Sequence, residues 1–116
     1  MPPNLTLRAE ALAICTACIA AYCIQHGSWL LFALLFLAPD LAMLGYLAGP
    51  KPGAAIYNLA HTYVLPIALW LTGDLLANPT LTQIALIWAA HIAFDRLLGF
   101  GLKYPTDFKD THLNRI

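Results

Sequence analysis

The sequence predicts an all-α fold, a polytopic membrane protein built as a bundle of four transmembrane helices in a single domain, 1–116. Three observations predict it. The chain is 60% hydrophobic and only 10% charged, against roughly 25% charged residues in soluble domains, and its mean hydropathy is +0.69. Its apolar residues fall into four runs near the ~20-residue length that crosses a bilayer, separated by turn-forming sequence. Finally, the basic residues sort to one side of a four-crossing path.

The first run, 9–25, is rich in small residues and cysteine and is just long enough to span. Arg8 and Glu10 mark its start, and His26, Gly27 and Ser28 form the turn after it. The second, 29–48, is interrupted by Pro39 and Asp40 and ended by Gly49-Pro50-Lys51-Pro52-Gly53. Proline lacks an N–H and frees the carbonyl four residues earlier, so a kink is expected within this span. The third, 54–72, contains Asn58, His61 and Pro66, and Gly73-Asp74 and Asn78-Pro79 supply the next turn. The fourth, 82–100, leads into a polar tail, 101–116, too short to fold alone and expected to lie on the cytoplasmic end of the bundle.

With the N-terminus inside, the inner segments carry Arg8, Lys51, Arg96, Lys103, Lys109 and Arg115, and the two outer turns carry no Lys or Arg. The positive-inside rule then puts both termini in the cytoplasm and the protein in the cell inner membrane. A removable signal peptide is not expected, because the first residues carry two prolines, no basic n-region and no small-residue cleavage site. Six Lys and Arg against six Asp and Glu give no phosphate-tracking surface, so nucleic acid is excluded as a partner. Membrane lipid is the expected partner, with a homo-oligomer as a further candidate. Cys15, Cys18 and Cys23 share one apolar run with no strand-turn-helix context around them, and read as small buried residues rather than a redox or zinc pair.

The functional signal lies in the polar residues inside the apolar runs. Ionisable groups are costly in hydrocarbon and by default mark functional sites. His91 and Asp95 are four apart and share a helical face, and Asn58 and His61 are three apart and do the same. Counted at 1.5 Å per residue from the cytoplasmic helix ends, Asp40, His61 and His91 lie about 12 to 14 Å deep and Asn58 and Asp95 about 7 Å deep. Residues from three helices thus meet in two adjacent layers. Two imidazoles, two carboxylates and an amide suit a divalent ion such as Zn, Mn or Fe(II), with no organic cofactor. The candidate ligands are Asp40, His61, His91 and Asp95, with Asn58 assisting. Arg96 and Lys103, at headgroup level, are candidate contacts for an anionic substrate, and Arg96 reads equally as a snorkelling anchor. His112 falls in the tail and reads as a solvated surface residue; His26 is on the opposite side of the membrane.

Ordinary structural readings exist for each group: an Asp95–Arg96 ion pair, histidines bonding across helices, and Asp40 satisfying backbone opened by Pro39. The shared depth favours a functional site. Two function classes follow: a metal-dependent hydrolase of a lipid-like ester or phosphoester, and a non-enzymatic ion or proton pathway or small membrane subunit that uses the same cluster for packing or partner binding.

The stretches PDLAMLGYLAGPKPGAAIYNLAHTYVLP (39–66) and LIWAAHIAFDRLLGFGLKYPTDFKDTHLNRI (86–116) resemble an uncharacterised family of small bacterial four-helix membrane proteins. That resemblance covers nearly the whole chain and implies the fold and the membrane location but no activity. More remotely, Pro39-Asp40, His61, the His91–Asp95 pair, Gly99 or Gly101, and Tyr104-Pro105 follow the order of the motifs in membrane-bound metal-dependent hydrolases. Leu41, Ala42 and Met43 stand where that pattern extends its first aspartate motif, and Tyr63 or Val64 where it has a second histidine, so this chain offers fewer ligands.

Overall fold

Proline and glycine divide the chain more finely than its hydropathy does. In the computed structural model, which describes residues 3–99, 101 and 102 and only the backbone at 42, 43 and 46, five α-helices and one 3-10 helix follow one another, and no strand occurs among the described residues. The all-α expectation holds. Two stretches, Pro3–Ile24 and Pro50–Leu75, are long and apolar enough to cross a membrane.

Helix α1 (Pro3–Ile24) starts six residues earlier than hydropathy alone indicates and runs 22 residues. Arg8 and Glu10 sit within its first turns on exposed or half-buried positions, so the helix tolerates them. Positive φ at His26 ends the following turn. The Tyr22 hydroxyl donates to the Ser28 carbonyl across that turn, and its ring packs edge-on against Trp29 and Phe32.

Helix α2 (Trp29–Phe36) is N-capped by Ser28, whose Oγ accepts from the Leu31 amide, the usual role of serine at that position. It lasts only eight residues. The single helix expected over 29–48 is not formed: from Ala38 to Ala48 the backbone winds as a 3-10 helix. Pro39 explains the change, since its ring clashes with the carbonyl four residues back and it has no N–H to donate there. Eleven residues is long for this conformation, which usually persists for 3–4, and its packing partner accounts for it. Antiparallel to it lies α3 (Pro50–Ala60), close enough that a Cβ on Gly45 would stand 3.4 Å from the Gly53 Cα and 2.9 Å from the Ile56 side chain.

The expected third span is likewise interrupted. Helix α3 stops at Ala60 and α4 (Val64–Leu75) takes over after three non-helical residues. Pro66 removes the N–H that would have paired with the Thr62 carbonyl, so the ladder fails at this point. Helix α5 (Pro79–Leu97) has Pro79 at its first position and Asn78 as its cap, with Oδ1 accepting from the Thr80 and Leu81 amides at 3.1 and 3.3 Å. Its other end stops at Gly99, where φ is +97°, the left-handed closure that glycine permits.

Helix α5 is the central post. It packs along α1 and α4 and touches α2, and Ala85, Ile87, Ala90, Ile92 and Ala93 on it are all buried. Arg8 Nε donates to the Leu97 carbonyl at 2.8 Å, which joins the start of α1 to the end of α5. At the other end Gln25 shares a cavity with Gly73, Asn78 and Thr82, so both turns lie together. Gly73 is needed there: a Cβ would meet the Thr82 amide at 2.8 Å and the Leu81 Cβ at 2.9 Å. Gly73→Ala is expected to destabilise the protein by about 1–3 kcal/mol through overpacking of the α4–α5 turn, measured as a loss of thermal stability with the secondary structure retained.

Candidate metal centre

Two of the four candidate ligands stand at interruptions in the helices. Asp40 is in the first turn of the 3-10 helix, and His61 is the residue on which α3 ends, with φ −115° and ψ 18°. His91 and Asp95 come from the regular helix α5 that faces both breaks. The two prolines that break the ladder, Pro39 and Pro66, therefore shape the backbone that carries Asp40 and His61.

The side chains converge. His91 Nε2 lies 3.2 Å from His61 Nε2, 3.1 Å from Asp40 Oδ1 and 3.2 Å from Asp95 Oδ2. His61 Nε2 lies 3.5 Å from Asp40 Oδ1 and 3.4 Å from Asp95 Oδ2. One ligand atom from each of the four residues lies within 4.8 Å of all the others. A tetrahedral ion with bonds of about 2.0–2.2 Å to nitrogen and oxygen holds its ligand atoms about 3.3–3.6 Å apart. The five separations above, from 3.1 to 3.5 Å, overlap that range, so the cluster can hold a metal ion.

The protonation chemistry points the same way. His61 Nδ1 is 2.8 Å from the Tyr57 carbonyl. That acceptor takes the imidazole N–H and leaves the Nε2 lone pair aimed at the cluster, the arrangement by which backbone carbonyls orient metal-binding histidines. A carboxylate brings only acceptors. Lone pairs of two carboxylates and at least one imidazole thus converge where water is largely excluded: His61 and His91 side chains are 3% and 2% exposed and Asp95 16%. Buried negative charge needs a cation or protons to compensate it. Asp40, 35% exposed, forms the one open side.

The two layers inferred from residue counting collapse into one site. Side chains on a helix lean toward its N-terminus, so the Asp95 carboxylate reaches back over the turn that carries His91. The Asp95–Arg96 ion pair gives way for a related reason, because consecutive helical residues point apart. Arg96 instead donates from Nη2 to the His61 carbonyl at 3.1 Å, and its guanidinium lies 5.3 Å from the centre of the Tyr63 ring. Asn58 is half-buried on the last turn of α3, and its backbone carbonyl accepts from the His61 amide at 3.2 Å. Lys103, Tyr104-Pro105 and His112 lie outside the described residues.

Residue types alone did not reveal the supporting groups. Tyr57, 4% exposed, stacks on the His61 ring with centroids 3.8 Å apart and planes 7° off parallel. Phe36 and His61 meet the His91 ring edge-on. Trp88 Nε1 donates to the Ala60 carbonyl at 2.6 Å. Thus the carbonyls exposed by the break after α3 are taken up by Trp88 and Arg96, both from α5. The i,i+4 spacing of Tyr57 and His61 was a legible signal for the first of these contacts; the others depend on tertiary placement.

Comparison with curated proteins and with solved structures finds no match. Residues 4–116 match a family described as a domain of unknown function, so nearly the whole chain, candidate ligands and supporting groups included, belongs to the family DUF4260.

Proposed function

We infer that this protein is a four-crossing inner-membrane protein, both termini cytoplasmic, with a divalent metal centre open toward the cytoplasmic half of the bilayer, and that it hydrolyses a lipid-like ester or phosphoester. The observation that carries the reading is the meeting of four ligand atoms from Asp40, His61, His91 and Asp95 at coordination spacing. Membrane insertion is supported by exposure. Only 17% of the most apolar part of α1 and 22% of that of Pro50–Leu75 is buried, whereas the core helices of a soluble domain are covered. Leu30, Leu47 and Leu75 are 71%, 89% and 84% exposed, which suits lipid and would favour aggregation in water.

Depth is consistent from three directions. His91 is about 18 Å along α5 from Pro79, Val64 about 17 Å along α4 from Leu75, and His91 about 9 Å from Leu97, at the end where Arg8 meets it. An ion held there would acidify water toward neutrality and polarise an ester oxygen. The protein's own part is to fix three ligands in a dry wall and leave the Asp40 side accessible. In the overall reaction one water is consumed, the acyl C–O or P–O bond breaks, and the leaving oxygen receives a proton. Lys103 is the candidate cation for a headgroup, Arg96 being engaged with the His61 carbonyl.

Elemental analysis of protein purified in lipid nanodiscs tests the reading. One Zn, Mn or Fe per chain is expected, removable by chelator and restored by added ion. Substoichiometric metal with no uptake would overturn the metal centre and favour the second class, an ion or proton pathway. For that reading the supporting observation is the 3.2 Å His61–His91 contact, which a shared proton would then hold.

A further inference from the structure

Beside the metal centre runs a groove of about 300 Å³ lined by Leu35, Ala38, Pro39, Ala60, Ile84 and Trp88. Three of these residues adjoin ligands: Pro39 precedes Asp40, Ala60 precedes His61, and Trp88 lies one turn before His91. Every one of the six is half-buried, so the groove is open to the outer surface of the bundle along its length. It offers no side-chain hydrogen-bond donor to an occupant, because the Trp88 N–H is already given to the Ala60 carbonyl. From the ligands to Ile84 it extends seven residues of α5, about 10 Å, away from the end where Arg8 meets Leu97.

We propose that this groove is the acyl slot of the metal centre: it holds one linear hydrocarbon chain of a lipid ester or phosphoester whose polar head lies at Asp40, His61, His91 and Asp95. The proposal rests on the metal-centre reading above. Volume suits a single chain, since 300 Å³ is at the lower bound for ligand pockets. Direction selects the leaflet. A lipid whose headgroup is at the cytoplasmic surface points its chains toward the bilayer centre, and the groove leaves the ligands in that direction. Because lipid tails are as apolar as the lining, moving a chain from bilayer to groove gains little per methylene. The slot therefore acts by shape and position, placing the scissile bond rather than tightening binding.

Trp88 provides the reporter. In the Trp29→Phe/Trp70→Phe protein, loaded with zinc in lipid nanodiscs, Trp88 is the single tryptophan, and n-decyl phosphate brominated at mid-chain is the probe. Expected is saturable quenching of more than half of the Trp88 emission, competed by unbrominated decyl phosphate. Ile84→Phe, which fills the far end of the groove, should raise the half-saturating mole fraction at least tenfold with metal content unchanged. Leu35→Phe narrows the opposite wall and should do the same if the first variant does not fold. Stoichiometric metal with quenching that rises linearly with bromine, or that resists competition, overturns the slot and leaves the metal centre standing. Metal below stoichiometry overturns the metal-centre reading and the slot with it.

Discussion

His91→Ala is expected to abolish stoichiometric metal binding, lowering affinity at least 100-fold, and with it the stabilisation that zinc confers. The wild-type protein at a free zinc concentration of 1,000 Kd should gain about 4 kcal/mol over its chelated form, read as a large rise in unfolding temperature. The His91→Ala protein should show no such rise. His91 sits at the centre of the cluster, within 3.2 Å of a ligand atom from each of the other three residues. Removing it breaks every short separation through Nε2 at once. Asp40→Ala should also lose stoichiometric metal, since it supplies the only ligand from the 3-10 helix. If the four residues served packing alone, zinc and chelator would leave the unfolding temperature of every variant, and of the wild type, unchanged.

These outcomes bear on how the site was legible in the chain. The candidate ligands follow from one physical rule, that ionisable groups in apolar helices need partners, and from the agreement in depth of Asp40, His61 and His91. Residue counting places Asp95 on the face that carries His91 but in a separate layer; the side chain joins the same layer, because counting ignores the lean of side chains toward the helix N-terminus. The breaks were only half legible. Pro39 and Pro66 announced them, yet whether a proline kinks a helix or ends it depends on what replaces the lost bonds. Here the replacements are side chains from 28 and 35 residues away, Trp88 on the Ala60 carbonyl and Arg96 on that of His61. No local pattern encodes such pairings. The same holds for the 3-10 helix, whose length reflects its packing on α3 at Gly45 and Gly53.

Arg96 is where sequence and structure pull furthest apart, and a single series separates the roles. As a headgroup contact or a snorkelling anchor, its loss would weaken substrate binding or orientation and leave metal affinity intact. The structure engages it with the His61 backbone and the Tyr63 ring, which makes it a positioning residue for a ligand. Arg96→Gln should therefore lower zinc affinity 10- to 100-fold, the usual effect of removing a group that orients a ligand, and cost about 1–3 kcal/mol for the carbonyl left unpaired. Arg96→Lys should recover little of this. Its compact ammonium cannot lie flat over Tyr63 while donating to the His61 carbonyl, as the planar guanidinium does. Metal titration of the three proteins against the same competing chelator decides the matter: equal zinc affinities would overturn the positioning role, and an affinity loss shared by Gln and Lys would establish that the break after α3 is held in its ligand-presenting form from α5.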